Sequence, residues 1–119
     1  MDQYNWGAIP EEKLNDLASR RVIHTEFMTV ARLRLLKGAI VPMHHHVNEQ
    51  ITMLESGALR FEVAGEQVLV RAGDVLRIPP GAPHMVETLE DSMAVDLFTP
   101  PREDWIRGDD AYLRKPAGK

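Results

Sequence analysis

Between residues 92 and 98 the chain alternates with a period of two. Met93, Val95 and Leu97 share one parity, and Ser92, Ala94, Asp96 and Phe98 share the other. On an extended strand these two sets point to opposite faces. The segment around Gln50 repeats the arrangement, with Ile51 and Met53 opposite Gln50, Thr52 and Leu54. Two strands thus each present an apolar face and a second face that carries polar chemistry. Strands are predicted over 20–26, 28–36, 49–56, 58–64, 67–71, 74–78, 84–89 and 92–98, separated by glycine, proline or acidic turn residues. That rhythm is the signature of a sandwich or barrel. Ala64-Gly65-Glu66 and Leu89-Glu90-Asp91 read as hairpin loops, and Pro100-Pro101 stops the last strand. Residues 10–17 predict a short helix with Pro10 in its first turn, residues 102–105 a helical turn, and residues from Lys115 onward a frayed end.

A chain of 119 residues, 44% hydrophobic and 27% charged, reads as one globular domain. No run of eighteen apolar residues is present, so no membrane span is expected. The first residues show no basic region followed by an apolar stretch, and a cytoplasmic location is expected. The net charge is −4 with no basic stripe, which argues against nucleic acid as the partner but not against a small anion. The apolar row Ile51, Met53, Met93, Val95 and Leu97 is long enough to predict cover by a second sheet or subunit, and a homodimer is expected.

The chain has no cysteine, so any metal must rest on nitrogen and oxygen ligands. Four of the five histidines lie in two stretches, Met43-His44-His45-His46-Val47-Asn48-Glu49-Gln50 and Pro79-Pro80-Gly81-Ala82-Pro83-His84. On a regular strand His44, His46 and Gln50 would share a face, while His45 and Glu49 would point away. Two imidazoles at i and i+2, with a third from a distant strand, suit a divalent ion of the zinc, nickel, iron or manganese type. His45 and the isolated His24 read as structural or solvated residues.

These residues resemble the two cupin motifs. Gly38, His44, His46, Gln50 and Gly57 match the first in register, and Gly73, Pro79, Gly81 and His84 match the second. The resemblance covers about residues 30–100, and it implies an all-β cupin fold, a double-stranded β-helix or jelly-roll barrel with its core at about 28–99. It departs from the common pattern at Gln50, where most cupins carry glutamate, and at Thr88, where asparagine is frequent. With the tail Asp96-Leu97-Phe98-Thr99-Pro100-Pro101-Arg102-Glu103-Asp104, the chain looks like the pectin-degradation cupins, which convert 4,5-unsaturated uronates into linear keto-uronates. That resemblance implies one divalent metal on His44, His46, Gln50 and His84, with Asp96, Phe98 and Arg102 as active-site residues and an anionic sugar as substrate. The alternatives are a non-catalytic metal- or sugar-binding cupin and a metal-dependent dioxygenase.

The residue types fit such chemistry. Three neutral imidazoles and a carboxamide leave a divalent charge uncancelled, which strengthens the Lewis acid and favours an anionic ligand. Asp96 interrupts an apolar segment, so its carboxylate needs a charge partner or hydrogen bonds, and it can give or take a proton. Arg102 offers a planar fork to a carboxylate. Phe98 shares the strand face of Asp96 and would wall the pocket.

Overall fold

Ten strands carry residues 1–114, the part of the chain that the computed structural model describes. In order they are β1 (Glu12–Asn15), β2 (Ala18–His24), β3 (Thr29–Leu35), β4 (Ile40–His44), β5 (Glu49–Ser56), β6 (Ala58–Val63), β7 (Glu66–Arg71), β8 (Val75–Ile78), β9 (His84–Thr88) and β10 (Ser92–Thr99). One short helix, α1 (Glu103–Arg107), follows, flanked in the chain by 3-10 turns at Trp6–Ala8 and Ala111–Arg114. A six-stranded sheet runs β1-β2-β3-β10-β5-β8 and faces a four-stranded sheet β4-β9-β6-β7. Every pairing is antiparallel. The all-β jelly-roll expectation is met. The expected fraying from Lys115 lies outside the described residues.

The parity of the sequence decides which side chains fill the barrel. Ala31, Leu33, Leu35, Leu54, Ala94 and Phe98 of the large sheet meet Leu59, Phe61, Val70 and Val86 of the small one. The opposite row, Ile51, Met53, Met93, Val95 and Leu97, is half-buried on the outer face.

Three expectations are corrected. The segment 10–17 contains the edge strand β1 (Glu12–Asn15), not a helix. The Asn15 side chain accepts a hydrogen bond from the Leu17 N–H at 2.8 Å, a local turn that competes with helix. So short a helix has little stability of its own, whereas β2 offers a ladder at Glu12↔Arg20 and Lys13↔Ser19. Leu89-Glu90-Asp91 is not a hairpin loop either. It carries the chain from β9 in the small sheet to β10 in the large one, so its flanking strands do not pair. Ala64-Gly65 does close a hairpin, with both residues at positive φ between the paired Val63 and Glu66. Finally, the strand that carries His44 does not run on through His46 to Gln50: β4 covers Ile40–His44 alone. Pro42 lies within it, and β4 is tolerated as a strand because it is an edge.

The segment after β10 folds back over one end of the barrel. Trp105 of α1 is buried, and the Arg20 guanidinium stacks on its ring at 4.2 Å. Arg20 is 3% exposed, and it pairs with the equally buried Asp110 and, at 2.9 Å, with Glu12. Its Nε and Nη1 have no partner among the described residues, so the two carboxylates are what compensate a buried cation. Asp110→Ala should therefore cost about 2–3 kcal/mol, somewhat less than the loss of a sole partner because Glu12 remains. Urea unfolding measures this, and an unchanged midpoint would show that the pair does not anchor the tail.

Candidate metal centre

Two cross-strand pairs of the large sheet face one cross-strand pair of the small sheet, and the site lies between them. β5 and β10 contribute Gln50 opposite Phe98 and Thr52 opposite Asp96. β4 and β9 contribute His44 opposite His84. The alternation of β5 and β10 aims all four of their residues inward. His46 arrives differently from the regular strand that its i+2 spacing suggested. β4 ends at His44, and residues 45–48 bend across from the small sheet to the large one. The register of β4 on β9 also slips between Val41 and His44, so both line the cavity although their parities differ.

The two motifs hold each other. Gly81, at φ 76° where a side chain would be strained, donates its N–H to the His46 carbonyl at 2.8 Å. Asn48 is 2% exposed and donates through Nδ2 to the Pro100 and Pro101 carbonyls at 2.5 and 3.3 Å. The bend at 45–48 is thereby tied to the turn before β9 and to the tail.

The ring nitrogens of His44, His46 and His84 lie within 4.8 Å of one another, close to the span of one coordination sphere. The Nδ1 of each ring faces a main-chain carbonyl: Pro42 at 2.8 Å, Asn48 at 3.1 Å and Ala82 at 2.8 Å. A carbonyl only accepts, so each Nδ1 carries the proton and each Nε2 presents a lone pair. Burial holds all three imidazoles neutral, with His44 pushed down to about 3, His46 to about 4, and His84 lowered as well. The neighbouring Arg102 charge acts in the same direction on each.

The donor set fits a divalent cation. The His84 Nε2 is buried with no hydrogen-bond partner among the described residues. The His46 Nε2 and the Gln50 Oε1 face each other at 3.1 Å, two acceptors with no proton between them. Lone pairs that converge in a buried space call for a cation, and imidazole with carboxamide oxygen suits zinc, nickel, iron or manganese. His44, His46, His84 and Gln50 are the residues that could hold it. His45 is exposed and outside the cluster, and His24 is exposed and bonded to Thr29 at 2.7 Å.

Behind Gln50 runs a row of hydrogen bonds. The Gln50 Nε2 donates to the Thr52 hydroxyl at 2.9 Å, and that hydroxyl donates to the Asp96 Oδ1 at 2.7 Å. Asp96 opens onto the cavity. Burial raises its carboxyl to about 6, against the opposing effects of the Thr52 bond and the Arg102 charge.

Arg102 is not the ion-pair partner of Asp96. It is 1% exposed and held by Asp104, Nε to Oδ1 at 2.9 Å and Nη2 to Oδ2 at 2.8 Å, with Nη2 also donating to the Tyr112 hydroxyl at 2.6 Å. Its guanidinium lies over Phe98 at 4.7 Å and Trp105 at 4.4 Å. Burial opposes this charge, but Asp104 keeps the guanidinium pKa above its ordinary value. Phe98 packs edge-on against His46 at 5.6 Å, and Tyr112 stacks on His44 at 4.8 Å. Parity places Thr52 on the face of Gln50 but assigns it no role. Asp104, Trp105 and Tyr112 lie beyond the periodic segment and give no comparable signal.

A cupin-domain family profile matches residues 31–99, more than half of the chain. Among solved structures, KdgF from Halomonas sp. is 26% identical with a TM-score of 0.82, covering 88% of this chain and 98% of that one. An RmlC-like cupin from Shewanella frigidimarina NCIMB 400 is 22% identical with a TM-score of 0.81, covering 88% and 96%. A protein from Thermotoga maritima described as a predicted oxalate decarboxylase is 19% identical with a TM-score of 0.73, covering 83% and 99%. The last two show likeness of fold alone. No curated protein matches the chain.

Two outcomes are expected of this site. His46→Ala and His84→Ala should each abolish binding of one divalent ion, whereas His45→Ala should retain it. Metal analysis after dialysis decides this, and retention in His84→Ala with loss in His45→Ala would sink the assignment. The second outcome concerns Asp96 in metal-free protein. A carboxyl raised by folding binds its proton more tightly folded than unfolded, so wild-type stability falls as pH rises from the unfolded value towards about 6. Asp96→Asn removes that slope. Its stability relative to wild type should improve by about 2–3 kcal/mol between pH 4 and pH 7. Denaturant titrations with a chelator at both pH values measure it, and a pH-independent difference would contradict the burial of the carboxyl.

Proposed function

The chain belongs to the cupin family, and we propose that it linearises 4,5-unsaturated uronate monosaccharides, opening their ring to keto-uronates with a divalent metal. The motif resemblance and the likeness to KdgF support this reading. The observation that carries it is Asp96, a carboxyl on the cavity wall beside the three-histidine cluster whose pKa is raised to about 6. Near that value a group both gives and takes protons efficiently at neutral pH.

The substrate is an enol ether, with its ring oxygen attached to the C-4 to C-5 double bond. Proton delivery to C-4 leaves positive charge shared between C-5 and the ring oxygen. Water adds at C-5, and its proton leaves to the base. The C-5 to ring-oxygen bond then breaks to give a ketone, and the hydrate left at C-1 loses water to the aldehyde. No oxidant or reductant enters. Asp96 is the proton donor and then the acceptor. Arg102 has Nε and Nη2 committed to Asp104 and Tyr112; it stands outside the cavity lining, and on this reading its Nη1, which makes no hydrogen bond among the described residues, would take the substrate carboxylate. Phe98 supplies an apolar wall of the cavity against which the sugar ring would pack. A bound divalent ion supplies Lewis acidity to an anionic oxygen, and His44, His46, His84 and Gln50 would hold it. Positioning and electrostatics provide the acceleration.

The interior cavity is about 50 Å³, room for a few waters but not for a sugar ring. Tyr112 and Leu113 are among the residues that line it, so on this reading the Ala111–Arg114 turn would have to lift to admit substrate.

The test is incubation with unsaturated uronate freshly released by a polysaccharide lyase, following loss of the conjugated ultraviolet absorbance. Wild-type protein should exceed the spontaneous rate. Asp96→Asn should keep fold and metal while losing ~10²–10⁴-fold in rate, and Arg102→Ala should raise KM, lower kcat, or both. A wild-type rate equal to the spontaneous one removes the isomerase reading, and saturable uronate binding without turnover replaces it with sugar binding.

A further inference from the structure

Gln50 can serve as a metal ligand only if its oxygen, not its NH₂, faces the histidine cluster, and the hydrogen bonds behind it set that choice. In its ionised form the Asp96 carboxylate accepts and does not donate, so the Thr52 hydroxyl then gives it its proton across 2.7 Å. The Thr52 oxygen is then left with lone pairs only. The group that faces it at 2.9 Å must donate, which places the Gln50 NH₂ there and turns Oε1 towards His46. A flipped carboxamide would set two oxygens against each other at Thr52, with no proton for either. Thr52 is 1% exposed and Gln50 5%, so neither group meets bulk solvent.

We infer that Thr52 is a positioning residue, whose hydroxyl, oriented by Asp96, locks Gln50 with its carbonyl oxygen towards the metal site. The inference rests on the reading of the cluster as a metal centre and not on the uronate reaction. It also accounts for glutamine at this position. A carboxylate has two equivalent oxygens and needs no orientation, whereas a carboxamide needs an acceptor behind it. A glutamate here would compete with Asp96 for the single Thr52 proton.

The experiment is the zinc affinity of metal-free protein, by competition with a chromophoric chelator, on two backgrounds. With Gln50 present, Thr52→Val keeps the shape but removes the hydroxyl, and affinity should fall about 10–100-fold. Thr52→Ser restores the hydroxyl and should bind near the wild-type value. On the Gln50→Glu background, Thr52→Val should leave affinity nearly unchanged, because a carboxylate binds in either orientation. A packing defect would weaken zinc equally on both backgrounds, and that result overturns the inference, as does undiminished affinity in Thr52→Val alone. Should Thr52→Val not fold, Thr52→Ala supports the same comparison. A wild type that binds no zinc removes the metal reading and this inference with it. Uronate turnover is not a readout, so loss of the proposed activity and loss of this inference are separable.

Discussion

Three main-chain carbonyls, those of Pro42, Asn48 and Ala82, govern the interior of this barrel. By accepting the Nδ1 proton of His44, His46 and His84 they fix each tautomer and turn each Nε2 lone pair inward. Burial then keeps the rings neutral, since an imidazolium there would be poorly hydrated and repelled by Arg102. Much of the local irregularity holds these carbonyls in place. The slip in β4 brings His44 to the cavity with the Pro42 carbonyl against its ring, the 45–48 bend carries Asn48, and the turn ending at Pro83 carries Ala82. The Gly81 and Asn48 hydrogen bonds lock those pieces together. The proton arrangement of the site is thus a property of the backbone, set before any ligand arrives.

This explains how much was legible beforehand. Where β5 and β10 are regular, parity alone placed Gln50, Thr52, Asp96 and Phe98 on the inner face, as the structure does. For His44 and His46 the same rule reached the right cluster by the wrong route. The two do converge, but through a bulge and a bend between sheets, which no period of two describes. The N-terminal segment failed for a different reason. Its local composition suits a short helix, but the edge of β2 offered more hydrogen bonds than one isolated turn can make. The Leu89-Glu90-Asp91 turn looks like a hairpin because turn chemistry reports a reversal and not which strands pair afterwards.

The tail shows what a linear pattern cannot carry. Trp105 lies between two guanidinium groups, Arg20 at 4.2 Å and Arg102 at 4.4 Å, each balanced by an aspartate from the tail itself. Arg102 and Asp104 are two residues apart and bidentate, so this cation is neutralised locally before it meets the site. Among the described residues only Nη1 is left without a hydrogen bond. A buried arginine without Asp104 would press harder on the histidines and on Asp96, whereas a fully saturated one could not engage a ligand. The packing of α1 therefore tunes the charge felt inside the barrel as well as closing its end.

The position of the negative charge follows from the same logic. In this chain the carboxylate is moved away from position 50 and placed on Asp96, with one hydroxyl and one carboxamide between it and the histidines. A ligand carboxylate would be committed to a cation and could not exchange protons freely. Asp96 stays outside the coordination sphere and still feels it. Burial raises its pKa, while Arg102 and any cation on the cluster lower it. Its proton affinity is thus a balance between desolvation and positive charge, and Thr52 belongs to both sides: its hydroxyl stabilises the ionised carboxylate and orients the carboxamide that would hold the cation.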